Sequence, residues 1–267
     1  AAGKSIARVR IGRQAALKGE TYDPVTCVDG LMVWPAQPFW DQLADGARLR
    51  DSGVNFESHW CQEPFAAEEV LEHGKDFDIV ALAITMGAYK KLNDDPTMCD
   101  ALKAASPAFE RFTAEMGIVP TQSAQLWFNC VPAKLGWDMP KAAAVSGPEY
   151  LNIFADMSQV IATEKPWDGA APTSLYYLTG TYATTLYRRP VAEAGTPAIA
   201  AREIRAQAIE WLEREGQAMW PRASDGSRFE WRMLHAAPDA QGVARFDAQF
   251  WRANIDPNEC CVLSCAG

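Results

Sequence analysis

Asp76-Phe77-Asp78-Ile79-Val80-Ala81-Leu82-Ala83-Ile84-Thr85-Met86-Gly87-Ala88 is the stretch on which the fold turns. Phe77–Ile84 reads as a buried apolar strand that ends on small residues and a glycine. Just upstream, Phe65–His73 reads as a helix, with Glu68, Glu69 and Glu72 on its wet side and Gly74 as a left-handed cap. Strands of this kind are common in nucleotide-binding α/β proteins, where ligands lie beyond the carboxyl ends of the strands. The glycine fingerprint that accompanies them is absent: neither G-x-G-x-x-G nor G-x-x-x-x-G-K occurs. Thr85-Met86-Gly87 can bring backbone groups close to a dinucleotide, since glycine permits close approach; the alternative is an ordinary strand-to-helix turn.

Outward from this unit, Ile6–Leu17 alternates loosely, with Arg8, Arg10 and Arg13 between apolar positions, and reads as an edge or hairpin strand. A turn-rich loop follows, and Pro38–Ala44 reads as a short helix with Gly46 beyond its end. Asp95-Pro96 and Ser106-Pro107 each pair a capping residue with a proline and predict helix starts, the second stopped by Gly117. Val119–Phe128 and Leu175–Thr179 read as strands. Thr196-Pro197 predicts the longest helix, capped by Thr196 and stopped by Gly216, with Ile204, Ala208 and Leu212 along one face. Ile6–Leu17 and Phe77–Ile84 are expected in one sheet region, and the strands of the 120s and 170s in another.

The chain has 267 residues, 48% hydrophobic and 22% charged, enough to bury a sizeable core. Its net charge of -9 argues against non-specific nucleic-acid binding. No apolar run is long enough for a membrane span, and no secretory signal opens the sequence. The chain begins without Met and closes on Cys265-Ala266-Gly267, so both ends read as cut. The seven cysteines include no C-x-x-C pair, and free buried thiols in a reducing cytoplasm are the expectation. His59, His73 and His235 lack the spacing of a metal site, and the Gly74 helix end accounts for His73 through the helix dipole.

On the predicted 120s strand, Gln125 and Trp127 share a face while Gln122 points the other way. One face can line a ligand cavity, with amides fixing orientation and indole supplying apolar wall; the alternative is that Trp127 is core and the glutamines are rim. Tyr176 and Tyr177 cannot both face one side of their strand, and packing is the alternative for each. No catalytic residue and no nucleophile elbow is legible.

Tyr22-Asp23-Pro24, Gly30-Leu31, Trp34-Pro35, Gly74-Lys75-Asp76-Phe77-Asp78-Ile79-Val80, Thr121 to Trp127, Leu135-Gly136-Trp137 and Asp156-Met157 give the chain a broader likeness. It resembles FAD-dependent oxidoreductases of the flavin-containing amine oxidase and phytoene-desaturase-like family. The resemblance implies a mixed α+β chain, part of an FAD/NAD(P)-binding flavoprotein fold with an antiparallel-sheet substrate domain. It implies partial flavin-domain strands over residues 1–92, a substrate domain over 93–250, and a return strand over 251–267. Ala83, Thr85 and Gly87 would lie near the cofactor, and Gln122, Gln125, Trp127, Tyr176 and Tyr177 near the substrate.

The implied activity is hydride transfer from a C–N or C–C bond of a small apolar or amine substrate to FAD. The dinucleotide fingerprint and closing FAD segment of the family are missing from these residues, so FAD is expected in the intact parent and not in this chain alone. The implied partners are the missing flavin-binding segments or a flavoprotein partner chain. The alternative is a stand-alone apolar-ligand-binding or scaffold subunit without its own flavin.

Overall fold

The computed structural model describes residues 5–137, 144–164, 167 and 169–264. The fold is mixed α+β, and the described residues form four small sheets whose named strands all pair antiparallel. In chain order come β1 (Arg8–Arg13), β2 (Thr26–Val28), β3 (Leu31–Val33), α1 (Gly46–Ser52), β4 (Ala67–Glu72), α2 (Asp100–Ala105) and α3 (Pro107–Glu115). Then follow β5 (Gly117–Val119), β6 (Thr121–Phe128), α4 (Pro132–Leu135), β7 (Ala144–Ser146), β8 (Ile153–Asp156), β9 (Ser174–Thr181), α5 (Thr196–Met219), β10 (Phe250–Asn254) and β11 (Cys261–Leu263). No described helix is long and apolar enough to cross a membrane.

The central element is a five-stranded sheet in the order β10-β6-β9-β8-β7. Along β6, Gln122, Ala124, Leu126 and Phe128 are buried while the residues between them are half-buried, the alternation of a sheet packed hard on one face. α5 covers that face with Ala208, Trp211 and Leu212, which join Leu126, Phe128, Tyr176, Leu178 and Trp220 in one core. Farther toward the helix start, Ala200 and Ile204 join Trp60, Tyr182 and Ile255 in a second cluster. The Ile204, Ala208 and Leu212 stripe is the buried face of α5, as its spacing predicts. The pairing of the 120s and 170s strands also holds, over the full register from Thr121↔Thr181 to Phe128↔Ser174.

The helix–turn–strand reading of residues 65–84 is overturned. Ala67–Glu72 is a strand, paired residue for residue with β1 from Arg8↔Glu72 to Arg13↔Ala67. The glutamates that looked like a wet helix face stand across from arginines instead: Arg13–Glu69 at 2.7 Å, Arg8–Glu72 at 3.4 Å and Arg10–Glu68 at 3.8 Å. Opposite charges favour such cross-strand neighbours. Gly74 does adopt a positive φ of 78°, in the turn that follows a strand. His73 therefore ends a strand, and the helix-dipole account of it falls.

Phe77–Ile84 is not a strand; Phe77 makes a single bridge to His73 and no regular element follows. Ile79 is 86% exposed, and Leu82 and Ile84 are exposed as well. The ribbon of β1 and β4 is a sheet of its own, so the expected union of β1 with Phe77–Ile84 does not form.

Helix ends show where local signals yield. Ser106 accepts from the Phe109 N–H at 3.4 Å and caps α3 as predicted. Asp95 caps nothing: its carboxylate accepts from the Val191 N–H at 2.7 Å, and the helix starts only at Asp100. Thr196 opens α5, but its hydroxyl donates back to the Glu193 carbonyl at 2.8 Å, and Gly195 is the cap residue. Gly216 does not stop α5; a Cβ there would lie 3.1 Å from the Phe229 ring, so the glycine admits that ring beside the helix. Gly46 lies beyond the turn at Trp40–Gln42 and also begins α1, and the Trp40 carbonyl lies where its Cβ would be, which requires glycine. The Pro38–Ala44 helix reduces to a 3-10 turn at Trp40–Gln42. Pro120 splits the predicted Val119–Phe128 strand: β5 pairs β11, and β6 pairs β10. Cys265 lies outside the described residues.

Leu212→Ala should destabilise the chain by about 2–5 kcal/mol. Ile79→Ser should stay within about 0.5 kcal/mol. Denaturant melts of both variants test this: a large loss for the second would restore a buried strand at residues 77–84.

Candidate functional site

The face of the sheet opposite α5 is covered at one end, where Leu175 is buried beside Trp127, and is partly exposed along the rest. Register aligns Ala155, Tyr177, Gln125 and Phe250 as direct neighbours across β8, β9, β6 and β10. Trp127 stands two residues farther along β6, on the same side. Tyr177, Gln125 and Trp127 are half-buried, and Phe250 is 46% exposed. The row thus sets one amide among three aromatic rings on a rigid surface. Phe250 is the member that sequence reasoning missed; its strand contains no alternation long enough to fix which side it faces.

Trp127 is held from several directions. Its backbone N–H donates to Gln249 Oε1 at 2.9 Å, and its indole N–H donates to Glu164 Oε2 at 2.9 Å. Gln249 in turn donates to the His235 and Arg245 carbonyls at 2.7 and 2.9 Å. The nearly buried Arg245 guanidinium donates to the Leu234 and Ala240 carbonyls, so its charge is satisfied by backbone oxygens. Trp167 lies edge-on between Trp127 and His235, with centroids 6.2 and 5.5 Å away. Burial, then the Arg245 charge, lower the His235 pKa from its ordinary value.

Gln122 and Tyr176 belong to the other face. Gln122 donates to the Thr181 carbonyl at 3.3 Å and to Gln207 Oε1 at 3.2 Å. Tyr176 is fully buried, stacked on Phe154 at 5.1 Å, and burial raises the pKa of its phenol. Of the five residues read as a substrate cavity, the structure therefore brings together Gln125, Trp127 and Tyr177.

Ala83, Thr85 and Gly87 lie along the exposed stretch and the 3-10 turn Met86–Tyr89. The Thr85 hydroxyl donates to the Asn258 carbonyl at 2.9 Å. A Cβ on Gly87 would lie 1.9 Å from the Pro257 carbonyl oxygen, so the close approach that requires glycine is to the chain's own backbone. A dinucleotide pyrophosphate needs converging N–H groups, usually at a helix N-terminus. These three residues do not fit that group: the hydroxyl is engaged, the glycine is covered, and only a single 3-10 turn follows.

Gly87 instead borders a cleft of about 500 Å3 that also holds Ser58, His59, Asp95 and Asn258. The His59 backbone N–H donates to Asp256 Oδ2 at 2.9 Å, joining residues far apart in sequence. Burial lowers the His59 pKa, against the opposing pull of Asp256 and Asp95. Burial also raises the Asp256 pKa, although its bond from His59 acts in the other direction. A neutral imidazole on a cleft wall can accept a proton. Sequence offered no signal for this pairing, since only the tertiary fold brings Asp256 to His59. Among the described residues no group of three or more His, Cys, Asp or Glu side chains is arranged to hold a metal ion.

In comparisons with known proteins, no family model, no curated protein and no solved structure matches the chain.

A His held neutral by burial binds fewer protons folded than unfolded, so its effect on stability is a loss as pH falls through the ordinary His value. His59→Gln should flatten the fall in melting temperature between about pH 7.5 and about pH 5.5. His235 shifts in the same direction, so part of the slope should remain. An unchanged slope in the variant would remove His59 as a source of acid sensitivity.

Proposed function

We propose that the chain is the substrate-domain portion of an FAD-dependent oxidoreductase of the amine oxidase-like or desaturase-like kind. The observation that carries this reading is the row Ala155–Tyr177–Gln125–Phe250 with Trp127 beside it, an aromatic wall around one amide on a rigid sheet. Such a wall suits a small apolar or amine substrate: rings exclude water and the amide fixes orientation. The resemblance noted in the sequence supplies the flavin. Because Ala83, Thr85 and Gly87 do not fit its pyrophosphate, the cofactor in this reading is gripped by other surfaces, and the isolated chain is inactive.

The apolar stretch from Ile79 to Met86 also favours a missing neighbour. Ile79, Leu82, Ile84 and Met86 are exposed, and Ile79–Ile84 makes no hydrogen bond within the described residues. Unpaired backbone beside exposed apolar side chains is a surface suited to receive another strand or helix.

A second reading, a stand-alone apolar-ligand-binding subunit, is favoured by one specific feature. Val80, Leu82 and Ile84 line a cavity of about 750 Å3 with Ile6, Val9 and Leu102. The volume is in the range of about 300–1,000 Å3 typical of small-molecule sites.

The discriminating measurement is flavin absorbance after desalting, on this chain and on a longer protein that includes the flanking coding sequence. The oxidoreductase reading expects a colourless chain and a yellow longer protein, with Trp127→Ala weakening substrate use in the latter by about tenfold or more, equivalent to about 1.4 kcal/mol. Stoichiometric FAD on the chain alone would contradict the proposed placement of the cofactor. A colourless longer protein that retains an apolar ligand would favour the second reading.

A further inference from the structure

Another cavity, of about 510 Å3, is formed by the loop after β3 and the segment after α1, and shares no residue with the sheet face. Tyr22, Trp34, Trp40 and Phe56 line it together with Glu57. No ring contact joins any two of these four, and no described cation lies over any of them. Trp34 is 77% exposed. The rings therefore flank open space instead of packing into one another.

The two charged side chains on this cavity do not pair with each other. The Glu57 backbone N–H donates to Asn55 Oδ1 at 3.0 Å, but its exposed carboxylate has neither a hydrogen bond nor an ion pair among the described residues. Arg50, the cation on the lining, is held by Asp51 Oδ1 at 3.0 Å. The lining thus sets four aromatic rings beside one carboxylate without an ion pair, that of Glu57 where this cavity borders the His59 cleft, in a chain of net charge -9. Ring faces attract cations through their quadrupole, and the attraction grows as the cation sheds water. A compact, strongly hydrated ion gains little in such a place. An ammonium with methyl groups spreads its charge and offers apolar surface to the indoles, while the carboxylate supplies the opposite charge.

We propose that the Tyr22, Trp34, Trp40 and Phe56 cavity binds a trimethylammonium group, with Glu57 as its counter-charge. The proposal is independent of the oxidoreductase reading. The headgroup can arrive on a free small molecule or on a trimethylated lysine side chain. The volume accommodates a small ligand, falling within the usual range of about 300–1,000 Å3.

The test is calorimetric titration of the full chain with choline and with its neutral tert-butyl isostere. Choline should bind saturably, and the isostere at least about tenfold more weakly, because the rings and Glu57 respond to charge. Trp34→Ala and Glu57→Gln should each weaken choline by about tenfold. Both positions are exposed, so the melting temperature should not move and lost binding cannot be attributed to unfolding. A trimethyl-lysine peptide that binds as well as choline or better would support the same headgroup arriving on a side chain. Equal binding of the neutral isostere, unchanged choline binding in both variants, or no saturable choline binding would overturn the proposal. So would binding of a proline-rich peptide in place of choline, which would make the cavity an aromatic peptide groove.

Discussion

The packing of α5 against one face of the five-stranded sheet is the constraint on which the rest of the molecule depends. Trp211 and Leu212 descend between Phe128, Tyr176, Leu178 and Trp220, and all are nearly or completely buried. Each fully buried large apolar side chain contributes roughly 1.5–3 kcal/mol. The helix is also tied at its flanks: the Trp211 indole N–H donates to the Pro148 carbonyl at 3.1 Å, and Arg205 pairs with Asp247 on the side that faces water. This core accepts a cost in unpaired polar atoms. Among the described residues, the indole nitrogens of Trp60 and Trp137 are buried without hydrogen-bond partners. Ring packing decides the arrangement here, because the rings fill space that smaller, fully satisfied side chains would leave open.

Once that face is committed to the core, the period of the strands commits the other. A residue on β6 or β9 that does not meet α5 must point to the other side, so Gln125, Trp127 and Tyr177 are half-exposed there by the same packing that hides Gln122 and Tyr176. Gln249 and Arg245 then fix the display. They lock the Trp127 backbone and the chain from Leu234 to Ala240 through side-chain bonds to backbone groups. A recognition surface built this way is rigid without being part of the core, and rigidity limits the entropy lost on binding.

The stretch that looks most like core in the sequence is among the least covered. Ile79–Ile84 carries apolar side chains but joins no ladder: β1 and β4 form a two-stranded sheet to which this stretch adds no strand. Apolar character alone records that a segment can be buried; a backbone partner in reach determines whether it is. The same distinction separates the His59 cleft from its sequence. His59 is an ordinary histidine until the turn after β10 delivers Asp256 to its backbone N–H.

The sequence by itself determined the features that rest on one segment's own period or cap. The α5 stripe of Ile204, Ala208 and Leu212, the Ser106 cap, and the division of Gln125 and Trp127 from Gln122 are all written at local spacing. Tertiary structure decided whatever needs a partner from elsewhere. Glu68, Glu69 and Glu72 fit a helix surface and a strand edge equally well, and only the arrival of Arg8, Arg10 and Arg13 selects the strand. Gly216 carries a stop signal, yet α5 continues through it to Met219, and the Phe229 ring packs 3.1 Å from where a Cβ would lie. Phe250 becomes part of the aromatic wall only through its register with Gln125. A local signal such as a cap is worth about a kilocalorie per mole, whereas a ladder or a buried ring is worth several, so the tertiary contact prevails wherever the two conflict.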